Sequence, residues 1–231
     1  HLLGYAHADG QTKGLSGVAD TPPPPPDGAT ITVNSAADSN QDTPHVADAF
    51  LTLREAILIS NRTLAVSSLT AEEKALVNGT PDAATRDIIK FDIHDGDSVV
   101  KTIFVGDGGL PFITDPVFIE GESQPGFDFA THLPLIQINA SGAGINKDLK
   151  FAAGLEITAD NSIVEGLVIG GAPGDGIRLH GGGGNIIIGN FIGTDATGTQ
   201  SDPVNNANAN SGILILDSAD NQVGGHLNNP A

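Results

Sequence analysis

The sequence predicts an all-β fold, a parallel β-solenoid behind a short helical cap, and three observations predict it. Beyond Arg86 the chain breaks into apolar runs of three to five residues, each closed by Gly, Asn or Asp and none with a helical period. Strand-opening asparagines recur at Asn161, Asn185 and Asn221, 24 and 36 residues apart, and a repeat in the low twenties is about one turn of a solenoid. Only two short stretches, both before Arg86, carry a helical pattern. The 231 residues suffice for a sizeable core, and 39% of them are hydrophobic.

The elements divide the chain into a tail over residues 1–28, a strand and capping helices over 29–85, and the solenoid over 86–231. The tail mixes small and polar residues and ends in Pro22, Pro23, Pro24, Pro25 and Pro26. Five prolines favour an extended polyproline II rod without internal hydrogen bonds. A segment with so little to bury within itself is expected to lie on another surface, a neighbouring copy above all, so these prolines are the expected self-association element. The sequence does not start with Met, and some N-terminal processing or truncation is expected.

Residues 29–34 (Ala-Thr-Ile-Thr-Val-Asn) alternate as a strand. A helix is then expected over 49–60, capped by Asp48, with Phe50, Leu53, Ile57 and Ser60 along one side. Thr70-Ala-Glu-Glu73 has the form of a capping box and predicts a second helix through Val77, ended by Asn78-Gly79. Strands are expected at 87–93, 101–105, 116–120 and 134–139. Each Asn repeat is preceded by a strand opening on Gly: Gly154-Leu-Glu-Ile, Gly176-Ile-Arg-Leu and Gly212-Ile-Leu-Ile. The run Gly166-Leu-Val-Ile-Gly170 matches Gly189-Asn-Phe-Ile-Gly193 at a spacing of 23, with glycine where the chain bends between faces. Asn161, Asn185 and Asn221 are expected to stack as a ladder of amides, and the longer second spacing is assigned to a polar insertion over 194–210.

Composition narrows the function. With 28 acidic against 10 basic residues the formal charge is −18, a surface that repels phosphate backbones and anionic membranes. Nucleic-acid binding is excluded on that ground. The apolar runs are far shorter than the roughly 20 residues of a membrane helix, so membrane insertion is not expected. There is no cysteine, hence neither disulfide nor thiolate metal site. One Tyr and nine Phe leave few platforms for stacking sugars.

Asp38, Asn40 and Asp42 alternate as oxygen ligands at positions one, three and five of a calcium loop. Thr43 stands where such a loop has Gly and Ala49 where it has its bidentate Glu, and a solvated Asx turn is the competing reading. Asp95 with Asp97, and Asp195 with Asp202, are weaker calcium candidates, and Ca2+ is the cofactor these turns allow. On the Gly176 strand, alternation points Ile177 and Leu179 inward and Arg178 and His180 outward. The glycine alignment sets Glu156 one turn below Arg178, and Leu214 and Leu216 one turn above Arg178 and His180. That makes Glu156–Arg178 a cross-turn ion pair rather than a catalytic constellation. No two acids align around any base, so no catalytic residue is assigned.

Residues 31–38 (Ile-Thr-Val-Asn-Ser-Ala-Ala-Asp), with Leu51-Thr-Leu-Arg-Glu-Ala-Ile57, resemble the N-terminal motif of the CSLREA-domain proteins, bacterial and archaeal surface or secreted proteins. Residues 110–126 and Gly189-Asn-Phe-Ile-Gly-Thr-Asp-Ala-Thr-Gly-Thr199 are similar to runs in the β-helix that follows in that family. The resemblance spans about residues 30–225. It implies a right-handed parallel β-helix at the cell surface; a solenoid must cap the unpaired N–H and C=O groups of its first turn, and the helix around Leu53 and Ile57 is expected to plug that N-terminal end. Leu51 replaces the motif cysteine, which removes any thiol-dependent role. Relatives usually continue through more turns, so this chain is expected to be a fragment or to have its last turn covered. The expected function is an extracellular structural or adhesive cell-surface protein that self-assembles head to tail into a fibre or sheet. The alternatives are a carbohydrate-active β-helix enzyme, a polysaccharide lyase or hydrolase, and a monomeric glycan-binding module.

Overall fold

The computed structural model describes residues 25–38, 45–94, 99–145, 150–200 and 207–225. These form three sheets, parallel but for one pairing, with two short α-helices near the N-terminal side. Strands β1 (Asp27–Val33), β2 (Val77–Asn78), β3 (Arg86–Phe91), β5 (Val117–Glu120), β8 (Ile163–Glu165), β11 (Ile186–Ile188) and β14 (Gln222–Val223) make the first sheet, in the order β14-β11-β8-β5-β3-β1-β2. The second holds β4 (Lys101–Phe104), β6 (Ile136–Asn139), β9 (Leu167–Gly170) and β12 (Phe191–Ile192). The third holds β7 (Leu155–Ile157), β10 (Ile177–His180) and β13 (Ile213–Leu216). An isolated parallel bridge from Ile113 to Ile157 adds one more rung to the third sheet. From β3 onward the chain therefore visits the sheets in a fixed rotation.

The register explains the core. In the first sheet Ile31, Ile89, Ile119, Val164, Ile187 and Val223 are successive partners, so one aliphatic column runs through six strands. Ile103, Ile138, Ile169 and Ile192 form a second column, and Ile113, Ile157, Leu179 and Ile215 a third. All but the last member of each column belong to a single buried cluster. Each buried aliphatic side chain contributes about 1.5–3 kcal/mol by its removal from water. The columns end in the open: Ile215 is 44% and Val223 53% exposed, whereas their partners Leu179 and Ile187 are 0% and 2%.

Helix α1 (Leu53–Ser60) begins four residues later than the periodicity suggests. The Asp48 carboxylate is engaged by the Phe50 N–H at 2.6 Å in a local turn, and Phe50 points to solvent. Thr52 caps the helix instead, in a capping box closed by Glu55. Leu53, Ala56, Ile57 and Ile59 are buried as α1 packs against β1 and β3. Helix α2 (Ala71–Lys74) starts at the expected capping box, Thr70 with Glu73, but lasts one turn. Residues 77–78, expected to end the second helix, form β2, because Ile31 and Thr30 of β1 offer an antiparallel partner. Burial pushes the Glu73 carboxyl up, but the Thr70 and Asp48 N–H groups outweigh it and hold it below its ordinary value.

The first strand starts at Asp27, ahead of the expected position. The Pro26 carbonyl already accepts the Arg86 N–H at 2.8 Å, so the end of the proline run is held by the sheet. Residues 1–24, with Pro22, Pro23 and Pro24, lie outside the described residues. Strands β3 to β6 lie within one or two residues of their expected limits. No described helix is long and apolar enough to cross a membrane.

Candidate functional site

Alternation along β10 sends Ile177 and Leu179 into the core and Arg178 to the other face, as expected, and the register places Glu156 and Leu214 on its two sides. The predicted cross-turn pair is present, with Arg178 Nη1 donating to Glu156 Oε2 at 2.9 Å. Two things differ from the expectation. The pair is buried rather than exposed, and it has a third member. Asp175 Oδ2 accepts Nε at 2.9 Å and Nη2 at 2.7 Å, and Nη2 also reaches the Phe151 carbonyl at 3.2 Å. Asp175 Oδ1 accepts the Ser211 N–H at 3.1 Å, which ties the strand below to the segment that leads into β13. Asp175 was legible only as the middle of Gly174-Asp-Gly176, where an acidic corner residue gives no signal of its partner.

Arg178 and Asp175 of this network line a groove of about 540 Å³ beside the third sheet. Its walls are Ile145, Phe151, Leu214 and Leu216, with Lys150 and His180 at the edges. Phe151 is 58% exposed. The groove offers an apolar platform beside cationic and hydrogen-bonding groups, a combination suited to a polar ring with an apolar face. The lining carboxylate, Asp175, and Glu156 behind it are both bound by the Arg178 guanidinium, an arrangement that positions Arg178 rather than freeing an acid for proton transfer.

Asp38 holds the Arg54 guanidinium. Its two oxygens take Arg54 Nε and Nη2, both at 2.8 Å, and Oδ2 also accepts the Gly106 N–H at 2.8 Å. Asn40 and Asp42 lie outside the described residues, as do Asp95, Asp97 and Asp202. Asp195 closes its own turn by accepting from the Thr197 hydroxyl and from the backbone of Thr197, Thr199 and Gln200, and these bonds keep its pKa below the usual value.

The asparagine repeat is real at two of its three positions. Asn185 Oδ1 accepts the Ser162 N–H at 2.8 Å, and Asn221 Oδ1 accepts the Asn185 N–H at 3.0 Å. Asn161 stands one residue early, in register with Gly184 and Asp220, and all three have positive φ (55°, 68° and 57°). Ser162 takes the ladder position and accepts the Val117 N–H through its hydroxyl at 3.2 Å. The side chains thus bond the backbone of the preceding turn and not one another. Strands β8, β11 and β14 begin just after these positions, and an N–H at the mouth of a strand needs an acceptor that the ladder does not supply. At the following bend Gly166 and Gly189, predicted as equivalent corners, share positive φ values of 69° and 62°. Asn190 beside Gly189 repeats the device, accepting the Leu167 N–H at 3.0 Å.

The neighbouring face carries three glutamates. Glu120 and Glu165 are cross-strand partners on β5 and β8, Lys90 reaches Glu120 at 3.3 Å, and His132 lies 3.6 Å from Glu122. Burial, followed by repulsion from Glu122 and Glu120, pushes the Glu165 carboxyl up to about 7. Comparison of the chain with protein-family models, with curated proteins and with solved structures finds no match.

Proposed function

We propose that this chain is an extracellular structural or adhesive cell-surface protein, a right-handed parallel β-helix of the CSLREA kind that joins copies head to tail. The observation that carries the reading is the difference between the two ends of the stacked strands. At one end β2 pairs antiparallel with β1 and helix α1 covers the core. At the other, among the described residues, no strand pairs with the outer edges of β13 and β14, and Ile215, Leu216 and Val223 are exposed. Such an edge is a template for strand addition. Its occupant in this reading is the tail of a second copy, the segment ahead of β1, which has few charges and leads into the prolines 22–26. A heterologous joint of this sort repeats into an open filament.

Negative-stain microscopy with light scattering, on the whole chain and on a chain lacking residues 1–24, which keeps Pro26 and strand β1, tests the joint. Filaments that disappear with the tail support it, and a monodisperse monomer in both cases overturns it.

The lateral groove favours a second reading, a glycan-binding module, over the polysaccharide lyase or hydrolase. Phe151 supplies an apolar face, whereas Asp175 and Glu156 are both held by Arg178. A panel of acidic and neutral polysaccharides, assayed for both retention and cleavage, separates the two. Retention without chain shortening is the expected result.

A further inference from the structure

We propose that His45, Glu55 and Glu73 form a binding site for a divalent transition metal ion, with one donor atom from each residue. The three donor atoms lie within 4.8 Å of one another. His45 Nδ1 is 2.9 Å from Glu55 Oε1 and 4.0 Å from Glu73 Oε1. An ion at about 2.1 Å from each donor holds them roughly 3.4 Å apart, within the range the atoms already span.

The supporting bonds divide the labour within each carboxylate. Glu55 Oε2 accepts the Thr52 N–H and hydroxyl, both at 2.9 Å, and Glu73 Oε2 accepts the Thr70 N–H at 2.7 Å. The two capping boxes thereby fix the outer oxygens and turn both Oε1 atoms toward the imidazole. Such outer hydrogen bonds are what orient carboxylate ligands in metal sites. The Val46 N–H at 3.0 Å to Glu55 Oε1 and the Asp48 N–H at 3.2 Å to Glu73 Oε1 hold the loop against them.

Charge supplies the second argument. The Glu55 and Glu73 side chains are 3% and 0% exposed, and their Oε1 atoms, which accept the Val46 and Asp48 N–H groups, face the same imidazole. The guanidinium next to Glu55, Arg54, is committed to Asp38. A divalent ion supplies the counter-charge for two carboxyl groups brought together in a buried place, which Arg54 does not. An imidazole with two carboxylates selects zinc, manganese, cobalt or iron rather than calcium, and three protein ligands leave a position for water. His45 is 19% exposed, which leaves the ion a path from solvent.

The probe is Zn2+ alone, added to the full chain after chelator treatment, with bound metal measured after dialysis and affinity by competition with a chromophoric chelator. His45→Ala leaves both capping boxes intact and is the primary variant. One tightly held ion per chain is expected, with affinity weakened by about tenfold or more in His45→Ala and circular dichroism unchanged. Co2+ in place of Zn2+ gives a second readout, since its visible absorption band is expected in the parent chain and lost in the variant. Equal binding by parent and variant, or no retained metal in the parent, overturns the site.

Discussion

The Arg54 guanidinium and the Asp38 carboxylate meet through two parallel bonds of 2.8 Å, at a place where neither side chain is more than 2% exposed. The pair joins helix α1 to the segment after β1, and through the Gly106 N–H to the segment after β4. It is the fixed point from which the helical cap is hung.

Removing one partner leaves a buried charge without its counterion, so Arg54→Ala is expected to cost about 3–5 kcal/mol. That is a large share of a typical stability of about 5–15 kcal/mol. Asp38→Asn keeps an acceptor for Gly106 and is expected to cost less than Asp38→Ala. Urea unfolding of the three variants checks the order, and equal losses for the two Asp38 variants would contradict the role given to Gly106.

The backbone ladder predicts a graded response. Asn185 is fully buried and serves the Ser162 N–H, so Asn185→Ala should lose about 1–3 kcal/mol through an unsatisfied buried donor. Asn221→Ala removes the same kind of bond where solvent can replace it, and a smaller loss is expected. Thermal melts of both variants, with amide exchange at residues 162 and 185, provide the check.

Glu165 predicts a pH dependence with a definite sign. Its folded pKa of about 7 lies above the ordinary value of 4.5, so the folded chain holds the proton more tightly than the unfolded one. The neutral form therefore contributes stability that is fully present below about pH 4.5 and is lost as pH rises through 7. Glu165→Gln should leave stability unchanged in acid and raise it near pH 8, by about 1 kcal/mol after allowance for solvent screening. Parallel stability profiles for the two chains from pH 4 to 8 would refute the assignment.

Two groove substitutions separate architecture from recognition. Arg178→Leu strands Glu156 and Asp175 and should destabilise by about 3–5 kcal/mol. Phe151→Ala changes an exposed side chain and should stay within about 0.5 kcal/mol while reducing polysaccharide retention. Unfolding curves and affinity electrophoresis on the same samples read both effects.

The strands were legible because alternation and turn residues are local signals, and the Glu156–Arg178 contact because one repeat separates the two residues. The start of α1 was not. Phe50 fits the helical period as well as Leu53 does, and only the Asp48 turn and the Thr52 capping box decide between them. Asn161 misled by type, since the position that needs an acceptor is held by Ser162 and Asn161 answers a demand for positive φ. The meeting of His45, Glu55 and Glu73 had no signal at all. Glu55 and Glu73 each look like an ordinary helix cap, and nothing in the intervening residues announces that the two caps face one imidazole.

The corner between β12 and β13 has a consequence for how the molecule can be altered. The step from Asn185 to Asn221 is 36 residues where the step from Ser162 to Asn185 is 23, yet β10 pairs with β13 and β11 with β14 without a slip. Asn208, inside the extra length, returns to the previous turn by accepting the Ala172 N–H at 3.0 Å. Length is thus free to vary at this bend while rung order is conserved. A foreign epitope or reporter peptide spliced into the exposed turn at Thr199 and Gln200 would ride on the outside of the strand stack as cargo, its size decoupled from the stability of the scaffold that displays it.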